Sequence, residues 1–132
     1  IIIEKPELLP YLSGLENLKL LAEIRNIISY DDIKHYMDKF GLNFNSKQIV
    51  KKYSLGMKQK LGIIQAIMED PSLLLLDEPF NALDAESVDI LRSILLQYKE
   101  QGKLIILTSH HQEDIMSVCN QVIHLQDGCI LN

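Results

Sequence analysis

Residues 73–79 read Leu-Leu-Leu-Leu-Asp-Glu-Pro, and this run constrains the fold more than any other part of the chain. A continuous apolar run of strand length indicates a strand buried on both faces, as in a parallel sheet covered by helices. Asp77 then follows at the carboxyl end of that strand, where open α/β sheets bind their ligands. Pro79 favours an extended backbone at Glu78, so we expect the two acids to point in different directions. One carboxylate could then hold Mg²⁺ while the other faces a water molecule, as nucleotide hydrolysis requires. A buried strand that ends in a solvated acidic turn would show the same residues.

A second segment, from Ser54 to about Asp70, lies upstream and predicts a helix whose amino-terminal end could bind an anion. Ser54 is a good N-cap residue, and Gly56 lets the backbone approach a ligand closely. Free amides at a helix start bind anions, although an ordinary capped helix has the same pattern. The helix is expected to run to about Asp70, with apolar residues at helical spacing. Basic residues cluster only at Lys51-Lys52 and at Lys58 and Lys60, and a lysine pair is more often a solvated helix end than a binding site.

Two further segments follow the acids along the chain. Residues 81–84 read Asn-Ala-Leu-Asp, and an apolar strand from Leu104 to Leu107 ends in Thr108-Ser109-His110. A histidine just past a buried strand is expected at the same carboxyl edge as Asp77, where it could reach a phosphate. A capping or core histidine is the alternative.

Taken together, these segments resemble the nucleotide-binding subunit of an ABC transporter. Residues 53–61 resemble the family signature LSGGQ-x-QR, residues 73–78 match the Walker B strand, residues 81–84 resemble the D-loop, and His110 resembles the switch histidine. The form Tyr-Ser-Leu-Gly-Met-Lys-Gln is similar to that of exporters associated with bacitracin- or lantibiotic-type resistance. That subgroup tends to carry Ile-Glu where other relatives have the Q-loop glutamine, which assigns Glu4 to the Q-loop.

The resemblance implies an ATPase that uses ATP and Mg²⁺. Asp77 would hold Mg²⁺ through water, Glu78 would polarise the attacking water, and His110 would contact the γ-phosphate. Ser54 and Gly56 would cap the γ-phosphate of ATP bound to a second ATP-binding subunit in a head-to-tail dimer. Met57 stands where the signature has glutamine, so the role of that glutamine is not carried over.

The remaining implied roles concern coupling between chains. Asp84 would act across the dimer, and Glu4 would sense both the nucleotide and a transmembrane permease subunit. The implied function is to couple ATP hydrolysis to export across the cell membrane, at its cytoplasmic face. The implied cargo is an antibiotic peptide or a similar substrate.

No segment matches the phosphate-binding loop G-x-x-x-x-G-K-[ST], because Lys58, Lys60 and Lys103 all lack the glycine frame. The resemblance places that Walker A loop before the Q-loop. We therefore expect the sequence to be the carboxyl-terminal portion of a longer subunit, inactive by itself.

The expected fold is α/β, a partial P-loop NTPase core of parallel strands joined to a helical subdomain. Residues 1–10 would carry the Q-loop strand and loop, residues 11–70 the helical signature subdomain, and residues 71–132 the Walker B and switch part of the core. Ser13 and Glu16 predict a capping box, and a second helix is expected to begin after Ser29 and to end at Gly41.

Within residues 71–132 the elements are expected to alternate. The predicted order is strand 73–77, helix 85–100, strand 103–108, helix 111–119, and a hairpin of strands 121–126 and 129–131 around Asp127-Gly128. The sheet is expected to have an exposed edge that could pair with another chain.

Composition excludes several classes of function. The net charge of −5 and the lack of basic clusters with interleaved aromatic residues argue against a nucleic-acid partner. No apolar run approaches the roughly 18 residues of a membrane span. Cys119 and Cys129 form no CxxC pair, which favours a reduced, cytosolic setting.

Two other classes of function remain open. The chain could be a non-catalytic binding or dimerisation piece of its parent. The parent could also be a soluble ABC-type ATPase of chromosome or repair machinery. Those proteins insert long coiled coils between the Q-loop and the signature, whereas the segment from Glu4 to Ser54 is short and has no sustained heptads.

Overall fold

The computed structural model describes residues 7–131, and the predicted strand remnant at residues 1–4 and Glu4 lie outside this range. The α/β class is confirmed. The division into residues 1–10, 11–70 and 71–132 stays a prediction. The helices are α1 (Gly14–Arg25), α2 (Tyr30–Lys39), α3 (Leu55–Ile67), α4 (Ala85–Glu100) and α5 (Gln112–Val118). The strands are β1 (Leu73–Asp77), β2 (Leu104–Thr108), β3 (His124–Gln126) and β4 (Cys129–Leu131).

Local capping signals define the first two helices. At the start of α1, the Glu16 amide donates to Ser13 Oγ at 3.2 Å and the Ser13 amide donates to Glu16 Oε2 at 2.7 Å, which confirms the capping box. Ser29 caps α2 by accepting from the Asp32 amide. Gly41 follows the end of α2 with φ +73°, a left-handed conformation that glycine adopts without strain.

One hydrophobic core joins the helical part to the strands. Helix α3 lies at its centre, since most of its residues after the first turn are buried. The fully buried side chains come from four helices, β1 and adjoining segments; the largest are Phe40, Leu18, Ile33, Met37, Leu61, Ile63, Ile64, Ile67, Leu74, Leu91, Leu95 and Val50. Because α3 is fixed by this packing, the residues at its exposed amino-terminal end are held on a rigid base.

Strands β1 and β2 are parallel neighbours, with Leu73 opposite Leu104 and Asp77 opposite Thr108. Helix α4 connects them, and one face of the pair is packed, with Leu74 and Leu76 buried. The prediction that β1 is buried on both faces is wrong for the part of the chain that the structure describes. Successive side chains alternate between faces, so the opposite face is apolar and largely open, and Leu104 and Ile106 are 59% and 54% exposed.

Strands β3 and β4 form the predicted hairpin around Asp127 and Gly128, whose φ values are +51° and +77°. Two consecutive left-handed residues are typical of a tight two-residue hairpin turn, which an Asp-Gly pair favours. Strand β3 is shorter than predicted, beginning at His124 instead of residue 121. No helix among residues 7–131 is both long and apolar enough to cross a membrane.

Candidate functional site

The carboxyl ends of β1 and β2 bring three predicted site residues together. Asp77 ends β1, Glu78 follows it, and His110 lies just past β2. His110 Nε2 is 3.1 Å from Glu78 Oε1, where the glutamate side chain is 20% exposed and the histidine side chain 92% exposed. The expectation that this histidine would lie at the same edge as the acids is therefore met. The contact leaves the histidine accessible to a ligand while it orients the glutamate.

Thr108 joins the two acids, and sequence reasoning gave it no role. Its hydroxyl donates a hydrogen bond to Asp77 Oδ1 and accepts one from the Glu78 amide at 3.0 Å. A hydroxyl has one proton and two lone pairs, so it can serve both partners at once. The parallel register of the folded strands places Thr108 opposite Asp77, and no local sequence signal gives that register.

The backbone at Glu78 differs from the prediction. Pro79 was expected to favour an extended conformation at Glu78, but Glu78 has φ +48°, in the left-handed region. The Glu78 amide donates to Thr108 on β2, and the Glu78 carbonyl accepts from the Asn81 amide at 3.2 Å. These contacts override the local preference. The two acids nevertheless have different partners, Thr108 for Asp77 and His110 for Glu78.

The predicted anion site lies at the start of α3. Ser54 is the N-cap residue, and its Oγ accepts from the Met57 amide at 3.1 Å. The hydroxyl proton of Ser54 stays available for a phosphate oxygen, since the cap uses only a lone pair. Gly56 makes a close approach, but within the chain: a Cβ there would lie 2.7 Å from the Ala82 carbonyl oxygen.

The loop from Glu78 to Asp84, here called the β1–α4 loop, packs against α3. Gln59 Nε2 donates to the Pro79 carbonyl at 3.1 Å, and Lys60 Nζ lies 3.2 Å from Asp84 Oδ1. The prediction that Lys60 is solvated is wrong, because its side chain is only 17% exposed. The pKa of Asp84 is lowered, first by the Ser87 hydroxyl and then by the Lys60 ammonium group.

An open cleft of about 540 Å³ separates the β1–α4 loop from the start of α5. Its walls are Phe80, Asn81, Ala82, Val88 and residues 110–114. The predicted D-loop and the predicted switch histidine therefore line the same cleft. Polar side chains outnumber apolar ones in this lining, which suits a polar ligand.

The described residues hold no group of three or more His, Cys, Asp or Glu side chains that could bind a metal ion without further ligands. Asp77 offers one carboxylate, and Thr108 bonds to only one of its two oxygens. Mg²⁺ usually keeps several waters and takes one or two carboxylates together with substrate phosphates. Asp77 therefore fits a magnesium ion whose other ligands are water and phosphate.

The known proteins that this chain resembles are ATP-binding proteins of ABC transporters. The ABC transporter family profile matches residues 1–81. An uncharacterised ABC transporter ATP-binding protein of Bacillus subtilis, YybJ, is 50% identical over 97% of this chain and 59% of its own length. The bacitracin transport ATP-binding protein BcrA of Enterococcus faecalis is 38% identical over 96% of this chain and 42% of its own length. The lantibiotic transport ATP-binding protein SrtF of Streptococcus pyogenes is 35% identical over 98% of this chain and 56% of its own length.

A solved ATP-binding subunit of an ABC transporter has the same fold. It superposes with a TM-score of 0.85 at 28% identity, and the match covers 98% of this chain and 55% of that one. The chain thus spans about half the length of the relatives it matches. Since the family profile covers more than half of the 132 residues, the chain belongs to the ABC transporter family, among its ATP-binding subunits.

Proposed function

We propose that this chain is part of the ATPase subunit of an exporter, which couples ATP binding and hydrolysis to transport across the cell membrane. The observation that carries the proposal is the 3.1 Å contact between His110 and Glu78, beside Asp77, at the carboxyl edge of two parallel strands. Relatives that transport bacitracin and lantibiotics support an antibiotic peptide or a similar molecule as the cargo.

Each residue at this edge has a distinct task in the proposal. Asp77 holds Mg²⁺, and the ion supplies positive charge to the phosphate oxygens. Glu78 orients the attacking water and polarises it. His110 donates to the γ-phosphate while its contact with Glu78 keeps the two groups in a defined relation. Phosphoryl transfer depends on such positioning and charge stabilisation more than on covalent chemistry by the protein.

Other residues in the proposal act between chains. Ser54 and Gly56, at the exposed start of α3, contact the γ-phosphate of ATP bound to a second ATP-binding subunit in a head-to-tail dimer. Asp84 communicates across that dimer. Glu4, outside the described residues, links the nucleotide to a transmembrane permease, which holds the subunit at the cytoplasmic face of the membrane.

The proposal favours an exporter over a soluble ABC-type ATPase of chromosome or repair machinery. The relatives described above are named as transporter ATP-binding proteins. In the described part of the chain before α3, the α-helices are α1 and α2, of 12 and 10 residues, which are too short for the long coiled coil of such machinery.

The test uses the full-length subunit assembled with its permease in membrane vesicles. We expect His110→Ala to lower ATP turnover by on the order of a hundredfold, because a donor to the transferring phosphoryl group is lost. The matched control is His124→Ala, since His124 is also exposed but lies on the β3–β4 hairpin. Equal turnover in the His110→Ala and wild-type proteins would contradict the proposal.

A further inference from the structure

The β1–α4 loop contains two residues in an unfavourable backbone conformation. Glu78 has φ +48° and Ala82 has φ +63°, and neither is glycine. In L-residues with a Cβ, the left-handed region brings Cβ close to backbone atoms and costs energy. Such residues persist only where surrounding contacts determine the backbone, so we expect contacts from another element to stabilise this loop.

Helix α3 provides contacts of that kind from one face. Gly56, Gln59 and Lys60 are spaced i, i+3 and i+4, which places them side by side on the helix surface. Each touches a different point of the loop: Gly56 the Ala82 carbonyl, Gln59 the Pro79 carbonyl, and Lys60 the Asp84 carboxylate. The loop is thus held at its beginning, middle and end.

The contact of Gln59 is the one nearest to the acids. Gln59 is buried, and its amide donates to the carbonyl of Pro79, the residue directly after Glu78. A buried carbonyl that loses its donor is costly, so this bond favours one position of the loop backbone.

The contact of Lys60 fixes the far end of the loop. The Lys60 side chain is mostly shielded while the Asp84 side chain is 55% exposed, so the ion pair joins a shielded ammonium group to a solvent-facing carboxylate. Asp84 also occupies the N-cap position of α4. The ion pair therefore joins the end of the loop, and the start of α4, to α3.

We propose that Gln59 and Lys60 are positioning residues, which hold the β1–α4 loop on α3 and thereby set the direction of the Glu78 carboxylate. This inference rests on the proposed function for its effect on catalysis. It adds roles for two residues of the signature helix that contact neither nucleotide nor metal in the proposed mechanism.

The contacts of Gln59 and Lys60 with the β1–α4 loop are here called the tether. Loss of the tether is expected to change the rate constant of hydrolysis rather than nucleotide affinity. A small displacement of a group that orients water reduces turnover strongly, while the contacts that bind phosphate are made elsewhere. We therefore expect kcat to fall with little change in KM for ATP.

The experiment compares three variants of the full-length subunit with its permease: Lys60→Met, Lys60→Arg and Lys103→Met. Lys103 pairs with Asp70, and the exposed fractions of these side chains, 13% and 73%, resemble those of the Lys60–Asp84 pair. The control therefore removes an equivalent ion pair that does not touch the β1–α4 loop. We expect Lys60→Met to lower kcat about fivefold with KM unchanged, Lys60→Arg to retain most of kcat, and Lys103→Met to leave kcat unchanged.

Amide hydrogen exchange in the nucleotide-free subunit tests the tether without any assay of hydrolysis. Exchange in residues 80–84 should be faster in Lys60→Met and in Gln59→Met than in wild type, and unchanged in Lys103→Met. Unchanged exchange in both tether variants, or an equal loss of kcat in Lys60→Met and Lys103→Met, would overturn the inference. If the wild-type subunit hydrolyses no ATP, the proposed function fails, and the exchange data still decide whether the tether exists.

Discussion

Thr108 donates a hydrogen bond from its hydroxyl to the carboxylate of Asp77 across the parallel register of β1 and β2. The same hydroxyl accepts from the amide of Glu78, so one side chain orients the first acid and anchors the backbone of the second. A carboxylate held by a hydroxyl loses rotational freedom, and a neighbour that orients a metal ligand commonly strengthens metal binding.

Replacement of Thr108 should therefore change the Mg²⁺ concentration that ATP hydrolysis requires. In the full-length subunit, we expect Thr108→Val to raise the Mg²⁺ concentration needed for half-maximal ATP hydrolysis about tenfold, because valine has the same shape but no hydroxyl. Thr108→Ser restores the hydroxyl and serves as the control. Magnesium titration of turnover measures the effect, and identical titration curves for Thr108→Val and wild type would refute this role.

Replacement of Glu78 by glutamine separates binding from turnover. In the full-length subunit, Glu78→Gln should abolish hydrolysis and leave ATP binding intact, since the carboxylate acts on water rather than holding the ground state. The ATP-bound dimer should then accumulate, as size-exclusion chromatography with ATP would show. Glu86→Gln, in the first turn of α4, is the control. Normal steady-state hydrolysis by Glu78→Gln would show that the assignment of Glu78 is wrong.

The 132-residue chain by itself should neither hydrolyse ATP nor bind Mg-ATP tightly. No segment of this sequence matches the phosphate-binding loop, whose amides and lysine supply most contacts with the phosphates. Isothermal titration calorimetry of the isolated chain with Mg-ATP is the measurement. A micromolar dissociation constant would contradict the expectation.

Features encoded by neighbouring residues could be predicted from the sequence. The capping box of Ser13 and Glu16 and the hairpin at Asp127-Gly128 depend on contacts within a few positions, so their residue types identify them. The fold class followed from the apolar runs and the order of the motifs.

Features that depend on distant contacts could not be read in the same way. The shielding of Lys60 could not be predicted, because its partner, Asp84, lies on another element. The packing of α3 brings the two side chains together. The bridge of Thr108 required the strand register, and the left-handed backbone of Glu78 required contacts with β2. In each case tertiary packing overrode a local preference.

Acid should weaken the start of α1 through Glu16. The Ser13 amide is the main reason that the pKa of Glu16 is lowered, because it donates to the ionised carboxylate. A carboxyl whose pKa is lower in the folded state stabilises the fold above its unfolded pKa, and this contribution is lost as the pH falls through the folded value. Chemical denaturation should therefore show wild type more stable than Glu16→Gln at pH 7, with a difference that begins to shrink near the unfolded value of about pH 4 and is lost as the pH falls through the lower folded value.

A second variant checks the cause of that pH dependence. In a Ser13→Ala background the serine hydroxyl no longer accepts from the Glu16 amide, and the capping box is half removed. The loss of stability that Glu16→Gln causes at pH 7 should then be smaller than it is in the wild-type background. A difference that stays constant from pH 7 to pH 3 would rule out the lowered pKa as its source.

The open face of the β1–β2 pair should make the isolated chain self-associate. Leu73, Leu104 and Ile106 are exposed on that face, and among the described residues β1 and β2 have only each other as neighbours. An uncovered apolar surface beside unpaired strand edges recruits another chain, by strand pairing or by exchange of an element. We expect light scattering to show a mass that rises with protein concentration and is independent of nucleotide.

Ile106→Lys should reduce the association, because a charged side chain on an exposed strand opposes pairing. Ile24→Lys on α1 should have no effect, although Ile24 is 77% exposed. A strictly monomeric, cooperatively folded species at high concentration would refute the expectation.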